Sequence, residues 1–295
     1  MKRPVFKGSA VAIVTPFTHN GVDYKKMSEL CEYHIKQHTD AIVVAGTTGE
    51  ASTMPDEEHL SVVRCVVETV NKRIPVIAGT GSNDTRHAVE LSQKAAALGA
   101  DALLCVTPYY NKTSQQGLYL HFKAVADAVD VPMILYNVPS RTNLNINPET
   151  AARLAELPNI NGIKECRTEQ AGEIAYLCGD NLNLYSGEDG MVLPLLSLGG
   201  WGVISVIANI VPAKTHDMVM AYLNGNPSLA TKIQIELVPL IKAMFCDVNP
   251  IPVKTAMNLM GLAVGPCRMP LCEPSASCLE LIRRTLTAYG LPGGC

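Results

Sequence analysis

Residues 75–106 read PVIAGTGSNDTRHAVELSQKAAALGADALLCV, and the architecture of the chain can be inferred from this stretch. A short apolar run, Pro75–Ala78, is followed by a segment with helical spacing, Asp84–Leu98, and then by a second apolar run, Ala102–Val106. Asp84 can accept a hydrogen bond from a free amide of the first helical turn. The stretch therefore predicts a strand, a helix and a second strand, which is the unit that connects parallel strands.

The same alternation recurs along most of the chain. Eight short apolar runs predict strands at Ala10–Val14, Ala41–Ala45, Pro75–Ala78, Ala102–Val106, Met133–Tyr136, Ile160–Lys164, Leu182–Ser186 and Val203–Ile207. Eight strand–helix units joined by right-handed crossovers predict an α/β fold, a (β/α)8 TIM barrel, over residues 1–224. An open doubly wound sheet is the alternative architecture. It would place a glycine-rich phosphate turn after the first strand, where the sequence instead reads VTPFTHNG (14–21).

Strand signals stop beyond residue 224. Residues 229–246, 250–262 and 276–289 have helical spacing, so the sequence predicts a C-terminal appendage of three helices over residues 225–295.

Composition restricts the class of protein and its partners. Hydrophobic residues make up 47% of the 295 residues and charged residues 17%, which is typical of a well-buried globular enzyme. A net charge of −3 argues against nucleic acid or an anionic membrane as a partner. No apolar run approaches the roughly 20 residues of a membrane-spanning helix, and we expect a cytoplasmic protein.

Cysteine and histidine residues give two further expectations. The ten cysteines contain no CxxC pair, which favours reduced thiols over disulfides or a zinc site. The seven histidines, including His34, His38, His59 and His87, lie on segments with helical spacing and are expected at the surface.

In a barrel of this kind the reactive groups stand at the carboxyl ends of the strands. The segments at those ends read GTTGE (46–50), TPYYNK (107–112), YNVPSRT (136–142), SGED (186–189) and VISVIAN (203–209), while the sixth run ends at Lys164. Hydroxyls, phenols, one amine and one guanidinium are therefore expected together. Neither a histidine pair nor a carboxylate cluster joins them, so no metal site is predicted.

Lys164 is the most informative of these residues. An amine in an apolar pocket has a lowered pKa because desolvation penalises the cation, and a neutral amine can form a Schiff base with a ketone. The alternative is a lysine at a strand end that simply reaches solvent. Tyr136 ends the preceding strand, and its phenol is expected within reach of the amine, where it could transfer protons. Considered alone, such a tyrosine more often fills the core.

Two further motifs suit the binding of carboxylates. In GTTGE, Thr47 and Thr48 offer hydroxyl groups, and the flanking glycines let backbone amides approach an anion. Arg141 follows the fifth strand, where a guanidinium can hold a carboxylate at two points. Taken singly, the first motif could be an ordinary strand-to-helix turn and the second a solvated loop arginine.

Together the motifs GTTGE, TPYYNK, YNVPSRT, GIKE, SGED and NPIPVKTAMNLMG resemble the dihydrodipicolinate synthase family. This family belongs to the N-acetylneuraminate lyase superfamily of class I pyruvate aldolases, and the resemblance runs over nearly the whole chain. It implies a Schiff-base-forming lyase that condenses pyruvate with L-aspartate 4-semialdehyde, the first committed step of diaminopimelate and lysine biosynthesis. It also implies a homotetramer, a dimer of dimers, without metal or organic cofactor.

The resemblance further implies a role for each motif residue. Catalytic roles fall to Lys164, Tyr136, Thr47 and Tyr110, and substrate-binding roles to Thr48, Arg141, Gly187 and Ile204. Lys164 would form the imine with pyruvate, and Tyr110 would complete a proton relay in the site of a neighbouring subunit. Arg141 would bind the carboxylate of the second substrate. Gly187 and Ile204 match positions whose backbone lies near the condensed product.

Lysine-sensitive members of the family bind lysine between subunits, and this chain matches that site only in part. Asn83, Tyr109 and His59 fit the pattern. His87, however, stands where a glutamate would bind the lysine amine, and Asp56 replaces a second histidine. Because a cationic ligand loses an acidic partner, we expect weak or absent feedback by lysine.

Two other functions are compatible with parts of this pattern. A different pyruvate-dependent aldolase on the same scaffold, acting on N-acetylneuraminate or a 2-keto-3-deoxy sugar acid, would want polyol-binding groups where Arg141 stands. A non-catalytic pyruvate or amino-acid binding protein would not need the set of Lys164, Tyr136 and Thr47 to be intact.

Overall fold

A closed barrel of eight parallel strands forms the centre of the computed structural model, which describes residues 2–294. The strands are Gly8–Ala12, Ala41–Val44, Val76–Gly79, Ala102–Val106, Met133–Asn137, Ile160–Glu165, Asn183–Ser186 and Gly202–Ser205. Each pairs with the next along the chain, and the ring closes where residues 8–11 pair with residues 202–205. The predicted (β/α)8 barrel is confirmed, and every predicted strand begins and ends within two residues of an observed one.

Helices surround the barrel and alternate with its strands. They are Tyr24–Lys36, Asp56–Val70, Thr85–Ala97, Gln115–Ala126, Pro139–Thr142, Pro148–Ala155, Ala171–Cys178, Val192–Ser197 and Pro212–Leu223. Asp23, Asp84 and Ser114 each accept a hydrogen bond from a first-turn amide, so the caps expected from the sequence are present. A two-stranded hairpin, Phe17–Thr18 with Gly21–Val22, was not predicted, because two-residue strands carry no periodic signal.

The core has two layers, one inside the barrel and one between strands and helices. At the amino-terminal end of the barrel, the rings of Phe6 and Tyr185 stack with centroids 4.4 Å apart, and the Tyr185 hydroxyl donates to the Phe6 carbonyl. Both side chains are buried. The barrel interior is thus filled by side chains at this end.

An irregularity between the fifth and sixth strands sets the position of two side chains. Met133 pairs with Ile160, but Ile134 pairs with Gly162, so one extra residue is inserted. Paired residues of neighbouring strands point to the same face, and a shift of one residue reverses the face. As a result Tyr136 pairs with Lys164, and both point into the barrel. Regular pairing would have turned Lys164 toward the surrounding helices.

Three helices follow the barrel: Pro227–Met244, Ile251–Leu259 and Ala276–Ala288. The boundary predicted at residue 224 falls in the turn before the first of them, and the division into two domains stays a prediction. The expectation of reduced thiols is wrong for two cysteines, because Cys246 and Cys278 form a disulfide that joins the end of the first helix to the third. Their separation of 32 residues follows no spacing rule that the sequence could have revealed.

A buried ion pair fastens this appendage to the GTTGE loop. Lys254 and Glu50 have side chains 1% exposed, with Nζ and Oε1 2.8 Å apart. Lys254 also donates to the carbonyls of Thr15 and Pro266, and the second Glu50 oxygen accepts from the Arg268 amide. Such a pair is tolerated because the Lys254 ammonium has three acceptors and each Glu50 oxygen has a donor.

The expected surface position of the histidines is wrong for three of the seven. His34, His59 and His121 are buried. Each ring has a partner for one nitrogen: the Thr39 hydroxyl, the Gly79 carbonyl and the Thr85 hydroxyl respectively. Burial lowers the pKa of all three, to about 3 for His34, so these rings are neutral and pack like apolar groups. Separately, no helix within residues 2–294 is long and apolar enough to cross a membrane.

Candidate active site

A cavity of about 170 Å³ lies at the carboxyl ends of the strands. Six of the residues predicted from the sequence line it: Thr47, Thr48, Tyr136, Arg141, Lys164 and Gly187. They come from the second, fifth, sixth and seventh strands or from the loops that follow them. The barrel therefore brings together groups that are up to 140 residues apart in the sequence (187 − 47).

Lys164 lies inside this cavity and not in solvent. It is the next-to-last residue of the sixth strand and is 6% exposed. Nζ lies 4.4 Å from the centre of the Tyr136 ring, a distance at which an amine interacts with an aromatic face. The alternative of a lysine that merely reaches solvent is therefore excluded by its position.

Tyr136 supplies a proton-carrying group beside the amine. Burial raises the pKa of its phenol, while Lys164 and the Thr47 side chain act in the opposite direction. A raised pKa keeps the phenol protonated at neutral pH, so it can donate a hydrogen bond or a proton to a group bound beside Lys164. The arrangement suits acid–base steps at a carbon attached to the amine.

Asn249, a residue of the appendage, holds the two groups that the sequence predicts to bind carboxylates. Its Nδ2 donates to the Thr48 hydroxyl at 3.0 Å, and its carbonyl accepts from the Arg141 guanidinium at 3.2 Å. Asn249 is itself buried and lines the cavity. It thereby fixes the distance between the two groups that the sequence predicts to bind two different carboxylates.

Cys166, Glu188 and Asn249 are among the lining residues that were not predicted. Cys166 lies two residues beyond Lys164 and so faces the same side, a signal that alternation along a strand could have provided. Its sulfur also leaves no room for a side chain at position 187, because a Cβ added at Gly187 would lie 2.3 Å from it. Glu188 directly follows Gly187 in the SGED motif. Asn249 reaches the cavity only through tertiary packing, which no local pattern shows.

Two predicted residues do not line the cavity. Tyr110 is 92% exposed, with its backbone in the left-handed region at φ +70°. Ile204 is buried on the eighth strand among the side chains that fill the barrel, where it pairs with Ala10. Among residues 2–294, no group of three or more His, Cys, Asp or Glu side chains is arranged to hold a metal ion.

A second cavity of about 400 Å³ adjoins the first and shares Thr47, Tyr136 and Arg141 with it. His59, His87 and Tyr109 line this second cavity, as does Asp56. His87 Nε2 lies 2.9 Å from Asp56 Oδ1, and His87 Nδ1 lies 3.1 Å from the Ser82 hydroxyl. Asn83 is not part of the lining, and its carbonyl accepts from the Asn111 side chain.

Comparison with known proteins agrees with this geometry. Residues 5–289 match the model of the dihydrodipicolinate synthetase family. The chain is 58% identical over 291 residues to the 4-hydroxy-tetrahydrodipicolinate synthase of Acetivibrio thermocellus, covering 99% of this chain and 100% of that protein. It also superposes on dihydrodipicolinate synthase from Aquifex aeolicus with a TM-score of 0.96 at 43% identity, covering 98% of this chain and 100% of the other.

A third similar structure is dihydrodipicolinate synthase from Cyanidioschyzon merolae with lysine bound. Its TM-score is 0.94 at 41% identity, with 98% of this chain and 100% of the other covered. The resemblance inferred from the motifs is confirmed over the length of the chain. The chain belongs to the dihydrodipicolinate synthetase family.

Proposed function

We propose that this protein is a 4-hydroxy-tetrahydrodipicolinate synthase, a lyase of the class I aldolase type that condenses pyruvate with L-aspartate 4-semialdehyde. The observation that carries the proposal is the buried Lys164 amine beside the Tyr136 ring, in a cavity that also holds Thr47, Thr48 and Arg141. The names of the similar proteins support the same activity.

Pyruvate would bind with its ketone carbon at Lys164 and its carboxylate at Thr48. The unprotonated amine attacks the ketone, water leaves, and an iminium ion forms that draws electrons from the neighbouring methyl carbon. Tyr136 and Thr47 carry protons to the departing oxygen and from that methyl carbon. The product of these steps is an enamine, which is the nucleophile of the reaction.

The second substrate would enter from the side of Arg141. The guanidinium holds its carboxylate, which places the aldehyde carbon beside the enamine. Formation of the carbon–carbon bond restores the iminium ion on Lys164. The amino group of the second substrate then attacks this carbon, closes the ring and releases the lysine.

Assembly and location belong to the same proposal. The family resemblance suggests a homotetramer, a dimer of dimers, in the cytoplasm, with neither metal nor organic cofactor. Tyr110 would then reach the site of a neighbouring subunit. A tyrosine that is exposed and also has a positive φ is uncommon, and this supports a role outside its own subunit.

Feedback by lysine is expected to be weak or absent. A lysine amine needs an anionic partner, and the one carboxylate among the four positions His59, His87, Tyr109 and Asp56 is already engaged by His87. A bound lysine would have to compete with His87 for this carboxylate, a contact between exposed side chains worth about 1 kcal/mol or less. L-lysine in the submillimolar range should leave the activity of the pure enzyme unchanged, and clear inhibition would contradict this view.

The test of the activity is a coupled assay that follows ring formation from pyruvate and L-aspartate 4-semialdehyde. A panel with N-acetylneuraminate and 2-keto-3-deoxy sugar acids serves as the control for other aldolases of this scaffold. Turnover should be confined to the first pair. Faster cleavage of a sugar acid, or no turnover of either kind, would refute the proposed activity.

A further inference from the structure

Three charged side chains line the catalytic cavity: Arg141, Lys164 and Glu188. Glu188 is therefore the one carboxylate among the lining residues, and the mechanism above gives it no role. Its backbone is fixed, because its amide donates to the Ser186 hydroxyl and its carbonyl accepts from the same hydroxyl. The carboxylate is presented by a rigid turn immediately after the seventh strand.

This carboxylate has no cation of its own. Within residues 2–294, no Lys, Arg or His nitrogen lies within 4.0 Å of it. Burial raises the pKa of Glu188 and Asp189 acts in the same direction, whereas Lys164, a hydrogen bond with the Cys166 thiol and Arg141 lower it. A partly buried carboxylate without a cation is unfavourable for the fold, and such groups concentrate where a ligand completes the pairing.

The chemistry of the second substrate supplies the missing cation. L-aspartate 4-semialdehyde carries an ammonium group on the same carbon as its carboxylate. If Arg141 holds the carboxylate, the ammonium lies one carbon away, inside a cavity whose other two charged groups are cationic. Glu188 is the one lining group that can neutralise it.

We propose that Glu188 binds the ammonium group of the second substrate and accepts its proton before ring closure. This inference rests on the proposed function and deepens it. The ammonium must lose a proton to become a nucleophile, and a carboxylate in contact with it is the simplest acceptor.

Ring closure takes up one proton at Glu188 and later returns it. One ammonium proton passes to the Glu188 carboxylate, and the freed lone pair forms a bond to the iminium carbon while the π electrons move to Lys164 Nζ. A second proton moves from the attacking nitrogen to Nζ, and the carbon–Nζ bond breaks with its electrons, which releases a neutral lysine. The ring iminium and the Glu188 carboxyl group then each lose a proton to solvent, so the carboxylate is restored.

The experiment separates the amine from the rest of the substrate. Succinate semialdehyde has the same chain and carboxylate but lacks the amino group, so it can condense with the enamine but cannot close the ring. We compare the wild type with Glu188→Gln, with Glu188→Asp, and with Glu173→Gln, which alters an exposed helical carboxylate as the matched control. Three quantities are measured: the borohydride-trapped pyruvate adduct, kcat/KM for L-aspartate 4-semialdehyde, and the rate of the trapped adduct with succinate semialdehyde.

For Glu188→Gln we expect kcat/KM for L-aspartate 4-semialdehyde to fall by about 10-fold to 100-fold, the usual range for a charge-assisted hydrogen bond. The pyruvate adduct and the rate with succinate semialdehyde should stay within about 2-fold of wild type, and Glu188→Asp should recover part of the loss.

An equal loss with both aldehydes would overturn the inference, because Glu188 would then act on the fold or on Lys164. No loss with either aldehyde would overturn it too. If the wild type itself forms neither the pyruvate adduct nor the ring, the proposed function has failed. This outcome can be told apart from an equal loss with both aldehydes and from no loss with either, because it is seen before any variant is compared.

Discussion

Replacing Lys254 by methionine should strongly destabilise the protein, although the residue lies outside the catalytic cavity. Methionine keeps most of the length of the side chain but removes the charge. Glu50 would then be left 1% exposed, with the Arg268 amide as its remaining described partner. The carbonyls of Thr15 and Pro266 would lose a donor as well.

The expected magnitude follows from the asymmetry of buried ion pairs. Burial lowers the pKa of Lys254, and Glu50 opposes that shift, so each ion offsets the desolvation of the other. Removing one ion of such a pair costs about 3–5 kcal/mol, whereas replacing both by neutral groups costs far less. We therefore expect a loss of about 4 kcal/mol in the free energy of unfolding for Lys254→Met, and a loss of about 2 kcal/mol or less for the double variant Glu50→Gln/Lys254→Met.

The assay is urea unfolding followed by circular dichroism at fixed protein concentration. Because Glu50 ends the loop that carries Thr47 and Thr48, KM for pyruvate should rise in Lys254→Met and recover in the double variant. The reasoning would be refuted if Lys254→Met unfolded within about 1 kcal/mol of wild type, or if the double variant were less stable than the single one.

Three other changes have definite outcomes. Tyr136→Phe should lower kcat by about 100-fold or more in steady-state assays, because it removes the hydroxyl that carries the proton and keeps the aromatic ring. A smaller loss would mean that another group carries the proton. Arg141→Ala should raise KM for L-aspartate 4-semialdehyde by about 10-fold to 100-fold while the trapped pyruvate adduct still forms; unchanged turnover would contradict its role. Arg268 holds the pKa of Glu58 below its usual value of 4.5, so the pair stabilises the fold above that pH and is lost as the pH falls through the lowered pKa. Glu58→Gln should thus cost about 1 kcal/mol at pH 7 in urea unfolding, with a difference from wild type that shrinks in acid; a constant difference would count against the linkage.

Much of the fold could be predicted because each barrel strand is a short apolar run bounded by polar residues. Such runs are buried on both faces, one against the interior and one against helices, and so need no alternation to be recognised. The hairpin at residues 17–22 is too short to leave a pattern. The disulfide between Cys246 and Cys278 depends on how two helices meet, which is a property of the tertiary structure.

The site was predictable where its residues lie at the carboxyl ends of strands, as Tyr136 and Lys164 do. What no pattern revealed is that one extra residue in the sixth strand, between Ile160 and Gly162, puts these two side chains on one face. Asn249 could not be found at all, since it reaches the cavity from beyond the barrel. For the histidines the sequence predicted exposure where the structure shows burial. His34 lies on a segment with helical spacing and was expected at the surface, yet it is buried with one hydrogen bond and a lowered pKa.

The most direct measurement concerns the nitrogen that is expected to capture the keto acid. The protein is incubated with pyruvate, reduced with borohydride and digested, and the lysine-containing peptides are weighed by mass spectrometry. One reduced pyruvate should appear on the peptide containing Lys164 and on no other, with Lys254 as the internal control because it is also buried but paired with a carboxylate. A pyruvate adduct on another lysine, no adduct in the wild type, or full activity in Lys164→Ala would contradict the account.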